Sequence, residues 1–117
     1  MNIEELFQQQ NTLLNHKIEL QNVHLVIDPL GNCFLSPHPL HDNQFPTLLI
    51  SLDCENLETL LESHDDLGAW LGGNFPYHDR IDIHATLGLG TTKRQPLKLT
   101  KISKLTLYRY NQIYKIL

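Results

Sequence analysis

Apolar side chains recur with a helical period at the start of the chain and at every second position over most of the rest. The first pattern predicts an amphipathic N-terminal helix over residues 1–15. The second predicts strands, and the first of these, Lys17–Asp28, loses its alternation at Gln21 and Asn22. Because one extra residue returns the apolar side chains to their original face, this slip predicts a β-bulge.

Turn-forming residues divide the remaining sequence into four further strands and a short helix. Asp28–Gly31 predicts a turn, because Pro29 fixes its own φ and Gly31 accepts a positive φ. Asp53 is the predicted N-cap of the short helix, whose buried positions are three leucines. The four strands and the three leucines are predicted at Asn32–Leu35, Leu48–Leu52, Ile81–Leu87 and Leu97–Tyr110, and at Leu57, Leu60 and Leu61.

This order, a helix, three strands, a short helix and two strands, resembles the OB-fold, a five-stranded Greek-key barrel with a helix between its third and fourth strands. The resemblance covers residues 16–110 and rests on the element order and the bulged opening strand. An antiparallel sheet with helices on one face fits the same order. The predicted fold class is therefore α+β, mainly β, as either an OB-like five-stranded barrel or a curled antiparallel sheet.

Length and the N-terminal residues predict one domain without a membrane association. The 117 residues suit a single domain over 1–117, with residues 111–117 as a C-terminal extension that is either a last short strand or a surface segment. Glu4 and Glu5 stand where a secretory signal carries basic residues, and the longest apolar run is far below the ~20 residues of a membrane span. A cytoplasmic location is the resulting prediction.

Acidic and basic residues are segregated along the chain. Of the 13 acidic residues, 12 precede Arg80, and Lys17 is the only one of the 9 basic residues in that part. Two interpretations stay open: the two halves neutralise each other in the folded chain, or they leave an acidic patch and a basic ridge on its surface. The acidic patch would consist of Asp53, Glu55, Glu58, Glu62, Asp65 and Asp66.

Lys98, Lys101 and Lys104 recur at every third position of the predicted fifth strand. Positions three apart point to opposite faces of a strand, so these lysines form one row only if a bulge realigns them. The apolar alternation slips after Leu99, which predicts such a bulge. Protection of an exposed strand edge is the favoured interpretation of the lysines, and a row that binds phosphate groups is the alternative.

The sequence predicts no catalytic residue, no cofactor and no metal site. It has no H-E-x-x-H motif, no C-x-x-C pair and no G-x-S-x-G elbow, and its Gly88–Gly90 segment lacks the G-K-[ST] that completes a phosphate loop. His38, His41 and Asp42 share one loop, but exposed loop histidines are their ordinary interpretation. The net charge of −4 also disfavours a protein that binds along duplex phosphates.

These features favour a non-enzymatic protein-binding module. A small, acidic, motif-free chain resembles bacterial immunity proteins, which neutralise toxins. This resemblance of size and charge implies a basic protein partner such as a toxin domain. Aromatic side chains on the glycine-rich connection after the short helix would either cover the open end of the core, which is the favoured interpretation, or anchor a partner. The predicted partner-binding residues are the six carboxylates of the acidic patch together with Trp70, Phe75 and Tyr77.

An OB-type ligand site is the alternative function. OB-fold proteins bind oligonucleotides or sugars on their second and third strands through aromatic and basic side chains, and the resemblance implies the same face here. The corresponding stretch, Asn32–Asp53, holds Phe34 and Phe45 but no lysine or arginine. The alternative is therefore a module that binds a single-stranded oligonucleotide or a sugar through these two rings and the three lysines of the fifth strand.

Overall fold

The computed structural model describes residues 1–37, 49–54, 56–64, 67–70, 75–90, 92 and 95–117. Short helices and longer strands follow one another along this part of the chain. In order they are α1 (Ile3–Gln8), α2 (Gln10–Leu13), β1 (Lys17–Ile27), β2 (Cys33–Ser36), β3 (Ile50–Leu52), α3 (Leu57–Glu62), β4 (Tyr77–Leu89), β5 (Leu97–Arg109) and β6 (Gln112–Lys115). No helix among the described residues has the length and apolar content to cross a membrane.

The strands form a closed barrel because β3 pairs with two of them. β1 is antiparallel to β2 and β4, and β5 is antiparallel to β4. β3 is antiparallel to β2 and parallel to β5, which joins the two ends of the sheet. The five-stranded barrel confirms the predicted fold class, α+β and mainly β. Its closure decides against the open curled sheet and is compatible with the OB-like alternative.

The bulge predicted in the first strand is present. The register of β1 against β4 shifts between Leu20 and Val23, and Asn22 has a φ of 54°. Asparagine tolerates this left-handed conformation better than most residues. The backbone N–H of Asn22 donates to Asp82 Oδ1 at 3.0 Å, and its side-chain oxygen accepts a hydrogen bond from Arg80 Nη1 at 3.2 Å. Two side chains of β4 therefore hold the bulge in place.

β5 contains the second predicted bulge. Between the pairs His84–Lys104 and Thr86–Thr100, three residues of β5 lie opposite one residue of β4. Lys101, the first of the three, has a φ of 50°. The apolar side chains of β5 point into the barrel on both sides of this bulge, because its two extra residues leave Leu99 and Leu105 in the same phase.

Alternate side chains of the strands fill the barrel, and helices close it. Every second residue of β4 from Tyr77 to Leu87 is buried. α1 adds Ile3 and Leu6 to the same core, and α3 adds Leu57 and Leu61. This amphipathic packing stabilises helices that are too short to persist alone.

A second, smaller apolar cluster lies on the outside of the barrel. Val26 alternates with core residues of β1 and so points outward. It is buried there with Phe34, Leu49 and Phe75. β1 and β2 are therefore covered on both faces over part of their length, which a two-fold alternation pattern does not reveal.

The N-terminal helix is shorter than predicted. α1 ends at Gln8, Gln9 leaves the helical region with φ −108° and ψ 13°, and α2 ends at Leu13. Residues 8–12 offer no apolar side chain that could pack on the barrel. Since short helices depend on such packing, one continuous helix over residues 1–15 does not form.

The predicted N-cap of the short helix is wrong. α3 begins at Leu57, and its N-cap residue is Asn56, whose side chain makes no capping hydrogen bond. The backbone N–H of Asp53 instead donates to the carbonyl of Leu99 at 2.9 Å. This bond extends the pairing of β3 with β5, so Asp53 helps to close the barrel.

β4 is longer than predicted at both ends. Tyr77, expected on an irregular connection, is its first residue, and Leu89, expected in the following loop, is its last. The apolar pattern does not indicate the true start of β4, because Asp79, a buried carboxylate, occupies an inward position where an apolar residue is expected. The C-terminal segment forms the short strand β6, which pairs with the end of β5.

Among the described glycines, Gly90 is the one at which an added side chain would be least tolerated. A Cβ there would overlap the backbone of Gln95 and lie 2.9 Å from the carbonyl carbon of Pro96. We expect Gly90→Ala to lower the free energy of unfolding in urea by about 1–3 kcal/mol. Gly88→Ala is the control, because its Cβ would only touch the Lys98 side chain at 3.7 Å. Equal losses for the two variants would contradict this account.

Candidate functional site

A buried ion pair lies at one end of the barrel. Asp79 and Arg109 occupy inward positions of β4 and β5, with side chains 3 % and 10 % exposed. The guanidinium donates from Nε to Asp79 Oδ1 at 2.9 Å and from Nη2 to Oδ2 at 2.8 Å. These hydrogen bonds raise the pKa of Arg109. The bidentate geometry keeps both charges paired in a place from which water is largely excluded.

The same ion pair positions the segment after α3. Arg109 Nη1 donates to the carbonyl of Gly68 at 2.6 Å, and its guanidinium carbon lies 4.4 Å from the ring centre of Trp70. The indole Nε1 of Trp70 donates to Asp79 Oδ1 at 3.3 Å. Charge, hydrogen bonding and a cation–π contact therefore fix Trp70 against the barrel.

Trp70 also reaches the outer surface. Its ring stacks on that of His78 at 5.1 Å between centres, and its centre lies 5.6 Å from that of the Tyr110 ring in a T-shaped contact. His78 is exposed, and Tyr110 is 84 % exposed. The indole thus connects the interior ion pair with aromatic rings that face solvent.

The other two aromatic residues predicted for a partner site are buried. Phe75 belongs to the outer apolar cluster, and Tyr77 belongs to the main core with an exposed fraction of 1 %. The Tyr77 hydroxyl has no hydrogen-bond partner among the described residues. Burial raises the pKa of Tyr77, and the charge of Glu62 adds to this effect. Of the three predicted rings, only Trp70 is accessible.

Three residues of the predicted acidic patch are described, and they lie at the surface around α3. Asp53 and Glu62 are exposed and Glu58 is half-buried. Within the described part of the chain, none of them forms an ion pair with lysine or arginine. We call Asp53, Glu58 and Glu62 the acidic zone. The remaining predicted members, Glu55, Asp65 and Asp66, lie outside the described residues.

Glu58 lies beside the turn between β1 and β2. A Cβ at Gly31, where φ is +87°, would be 3.3 Å from Glu58 Oε1. Burial, followed by the nearby charge of Glu58, raises the pKa of the Cys33 thiol to about 11. Asp28, which accepts hydrogen bonds from the turn, adds to this effect. The acidic zone is therefore continuous with the carboxylate of the β1–β2 turn.

The basic residues of β5 begin beside Asp53, whose backbone N–H donates to the carbonyl of Leu99, the residue that follows Lys98. Lys98 pairs with Gly88 and Lys104 with His84, so both point outward, and Lys101 is exposed in the bulge between them. Lys98 and Lys104 are six positions apart and face the same side of β5, and the two extra residues of the bulge leave this phase unchanged. Lys98 also pairs with Ser51 of β3, so at this position β5 is not an edge strand.

Further along the same outer face, three residues form a compact network. The guanidinium carbon of Arg80 lies 4.4 Å from the ring centre of Tyr108. The hydroxyl of Tyr108 donates to Asp82 Oδ2 at 2.8 Å, and this hydrogen bond raises the pKa of Tyr108. No pattern of aromatic or charged residues in the sequence indicates this network.

Two residues predicted for the alternative ligand site, Phe34 and Lys98, lie in one row across β2, β3 and β5, with Ser51 between them. Phe34 is 8 % exposed and packs in the outer apolar cluster. Phe45, His38 and His41 lie outside the described residues. Within the residues that are described, no group of three or more histidine, cysteine, aspartate or glutamate side chains is arranged to hold a metal ion.

Parity along the strands is the signal that could have identified the ion pair. Asp79 is in phase with Tyr77 and Ile81, and Arg109 is in phase with Leu105 and Leu107. Opposite charges at inward positions of two paired strands predict a buried salt bridge. His78 and Tyr110 had no comparable signal, since their contact with Trp70 depends on the path of the preceding segment.

Comparisons with protein-family models, with curated proteins and with solved structures found no match for this chain.

Removal of one charge from the ion pair tests its structural role. We expect Asp79→Asn to lower the free energy of unfolding by about 3–5 kcal/mol, because Arg109 would stay buried without its counter-charge. Urea unfolding followed by the fluorescence of Trp70, the only tryptophan, measures the effect. Arg109→Met added to Asp79→Asn should restore part of the loss. Glu4→Gln, on the exposed face of α1, is the matched control. A double variant less stable than Asp79→Asn alone would contradict the assignment.

Proposed function

We propose that this chain is a non-enzymatic protein-binding module whose acidic zone docks on a basic protein partner. One observation carries the proposal: the described carboxylates around α3 are not paired with the cations of β5. Unpaired surface carboxylates attract a cationic surface at a distance and accelerate its association.

Trp70 supplies an anchor on the segment that follows α3. Arg109 links it to Gly68, which lies a few residues after α3. Because its hydrogen bond and its cation–π contact fix the indole, little side-chain entropy would be lost when a partner binds. Tryptophan at such a position is the type of residue that dominates binding energy in protein interfaces.

An immunity-type role in the bacterial cytoplasm is the more specific form of the proposal. A toxin that acts on nucleic acid presents cations at its active site, because it must bind phosphate groups. The acidic zone would occupy that site and exclude the substrate. Small size, an acidic balance and the absence of catalytic motifs support this role.

Charge reversal tests the proposal. The chain is used to recover binding proteins from a bacterial extract, and the dissociation constant of the purified partner is then measured by calorimetry at several salt concentrations. We expect a basic partner, weaker binding as salt rises, and a loss of affinity of about tenfold or more for Glu58→Lys/Glu62→Lys.

Glu4→Lys/Glu5→Lys is the matched control, since it makes the same change of charge on the exposed face of α1. Its affinity should stay within about twofold of the wild type. An acidic partner, or equal losses for the two double variants, would contradict a role for the acidic zone.

A single-stranded oligonucleotide is the second candidate ligand. The observation that favours it is the alignment of Lys98 and Lys104 on the outer face of β5, with Lys101 exposed between them. Neutralisation of phosphates by such a row would make binding strongly dependent on salt.

Fluorescence anisotropy with a labelled single-stranded DNA of mixed sequence separates the two candidates. Binding that is lost in Lys98→Glu/Lys104→Glu and retained in Glu58→Lys/Glu62→Lys would support the oligonucleotide. We expect no binding at physiological salt if the acidic zone carries the function, because the net charge of the chain is −4.

A further inference from the structure

Exposed apolar side chains are concentrated on the hairpin of β5 and β6. Among the described residues, five large hydrophobic side chains are exposed. Three of them, Tyr110 at 84 %, Ile113 at 66 % and Leu117 at 45 %, belong to this C-terminal hairpin and the residues that follow it. The acidic zone does not include any of these residues. A concentration of exposed apolar surface on one element is typical of a binding surface.

The register aligns outward side chains of β4, β5 and β6 in rows across the three strands. Two neighbouring rows, each named in the order β4, β5, β6, are Arg80, Tyr108, Ile113 and Asp82, Thr106, Lys115. We call these six residues, together with Tyr110, the hairpin face. Its centre on β5 holds Tyr108 and Thr106, and the ends of the rows hold three charged residues and Ile113. This distribution is that of an interface core with a polar rim.

The hairpin face is rigid before anything binds to it. Arg80 lies on the ring of Tyr108, and Tyr108 donates to Asp82, so the β4 side of the face is held by its own contacts. Arg80 and Asp82 are in turn attached to Asn22 in the bulge of β1. Binding to such a surface requires little reorganisation.

Tyr110 occupies a backbone position that tyrosine rarely adopts. Its φ is 55° in the two-residue connection between β5 and β6, where glycine, asparagine or aspartate are strongly preferred. A bulky residue in the left-handed region costs roughly 1–2 kcal/mol. The T-shaped contact with Trp70 leaves most of the Tyr110 ring in solvent. A ring kept at this position at the expense of backbone strain indicates a contact outside the chain.

The charges at the ends of the rows fit a second copy of the same face. Asp82 lies on β4 and Lys115 at the β6 end of the same row. Rotation about a two-fold axis that runs along β5 brings the β4 end of each copy opposite the β6 end of the other. Asp82 then meets Lys115 of the second copy, and Tyr108 meets its own equivalent on the axis. The face is therefore self-complementary, as an isologous interface requires.

We propose that two copies of this chain associate through the hairpin face, about a two-fold axis along β5. The contact is smaller than the 20–30 residues on each side of a standard interface, so the dimer is weak, with a dissociation constant on the order of 10–100 µM. This dimer is independent of the proposed function, since the acidic zone contributes no residue to it.

Sedimentation equilibrium of the purified chain tests the dimer directly. Between about 5 µM and 1 mM, the weight-average mass should rise from the 13.5 kDa of one chain toward twice that value. Ile113→Lys places a cation opposite Arg80 of the second copy, and we expect it to raise the dissociation constant by about tenfold or more. Leu89→Lys changes an exposed apolar residue outside the hairpin face and should leave association unchanged.

Tyr110→Gly separates association from folding. Glycine relieves the positive φ, so the free energy of unfolding at low protein concentration should be unchanged or higher, while the dimer weakens. Glu58→Lys/Glu62→Lys should associate like the wild type, which separates this proposal from the proposed function. A chain that stays monomeric up to about 1 mM would overturn the proposal. Equal effects of Ile113→Lys and Leu89→Lys, or tighter association of Tyr110→Gly, would also overturn it.

Discussion

The ion pair between Asp79 and Arg109 links the acidic first part of the chain to its basic last part inside the barrel. Asp79 is the last acidic residue before the basic part of the chain, and Arg109 belongs to that basic part. Among the described residues, this is the one contact in which a carboxylate meets lysine or arginine within ion-pair distance. It is buried, bidentate and shared between β4 and β5, and it also fixes Trp70 through a hydrogen bond and a cation–π contact. The packing at this end of the barrel and the position of Trp70 therefore depend on the same two side chains.

The other charged residues of β4 and β5 point away from the barrel interior, because side chains alternate along each strand. The bulge of β1 restores the inward phase of the apolar residues and the bulge of β5 preserves it, so the polar residues of β4 and β5 point outward along one face. The carboxylates of the acidic zone belong to α3 and to the residue after β3. Among the described residues, none of them lies within ion-pair distance of a lysine or arginine.

Much of the barrel could be predicted from the sequence because side chains on a strand have a fixed period. A slip in that period at Gln21 and Asn22 has few explanations other than a bulge, and the turn at Gly31 follows from the conformational freedom of glycine. The start of α3 could not be predicted, since Asp53 suits a helix cap but is used to extend β3 against β5. Tertiary pairing outweighed a local preference there.

Less of the candidate site could be predicted, for two physical reasons. Phe34 and Phe75 look like contact residues in a sequence, but both are buried because apolar side chains also cover the outer face of β1 and β2. Asp79 interrupts the apolar pattern, so the pattern does not indicate the first residues of β4. Asp79 is nevertheless in phase with the buried residues on either side of it. The residue type of Trp70 is all that the sequence offers for predicting a contact site. Its contacts with Asp79, Arg109 and His78 depend on the path of the segment that holds it.

The central claim is that the carboxylates of the acidic zone form no ion pair with the lysines of β5 and β6. Zero-length carbodiimide cross-linking, followed by mass spectrometry of the monomer, measures this directly, because it joins only carboxylates and amines in contact. We predict that no cross-link connects Glu58 or Glu62 with Lys98, Lys101, Lys104 or Lys115. Abundant cross-links between these two sets in the monomer would contradict it.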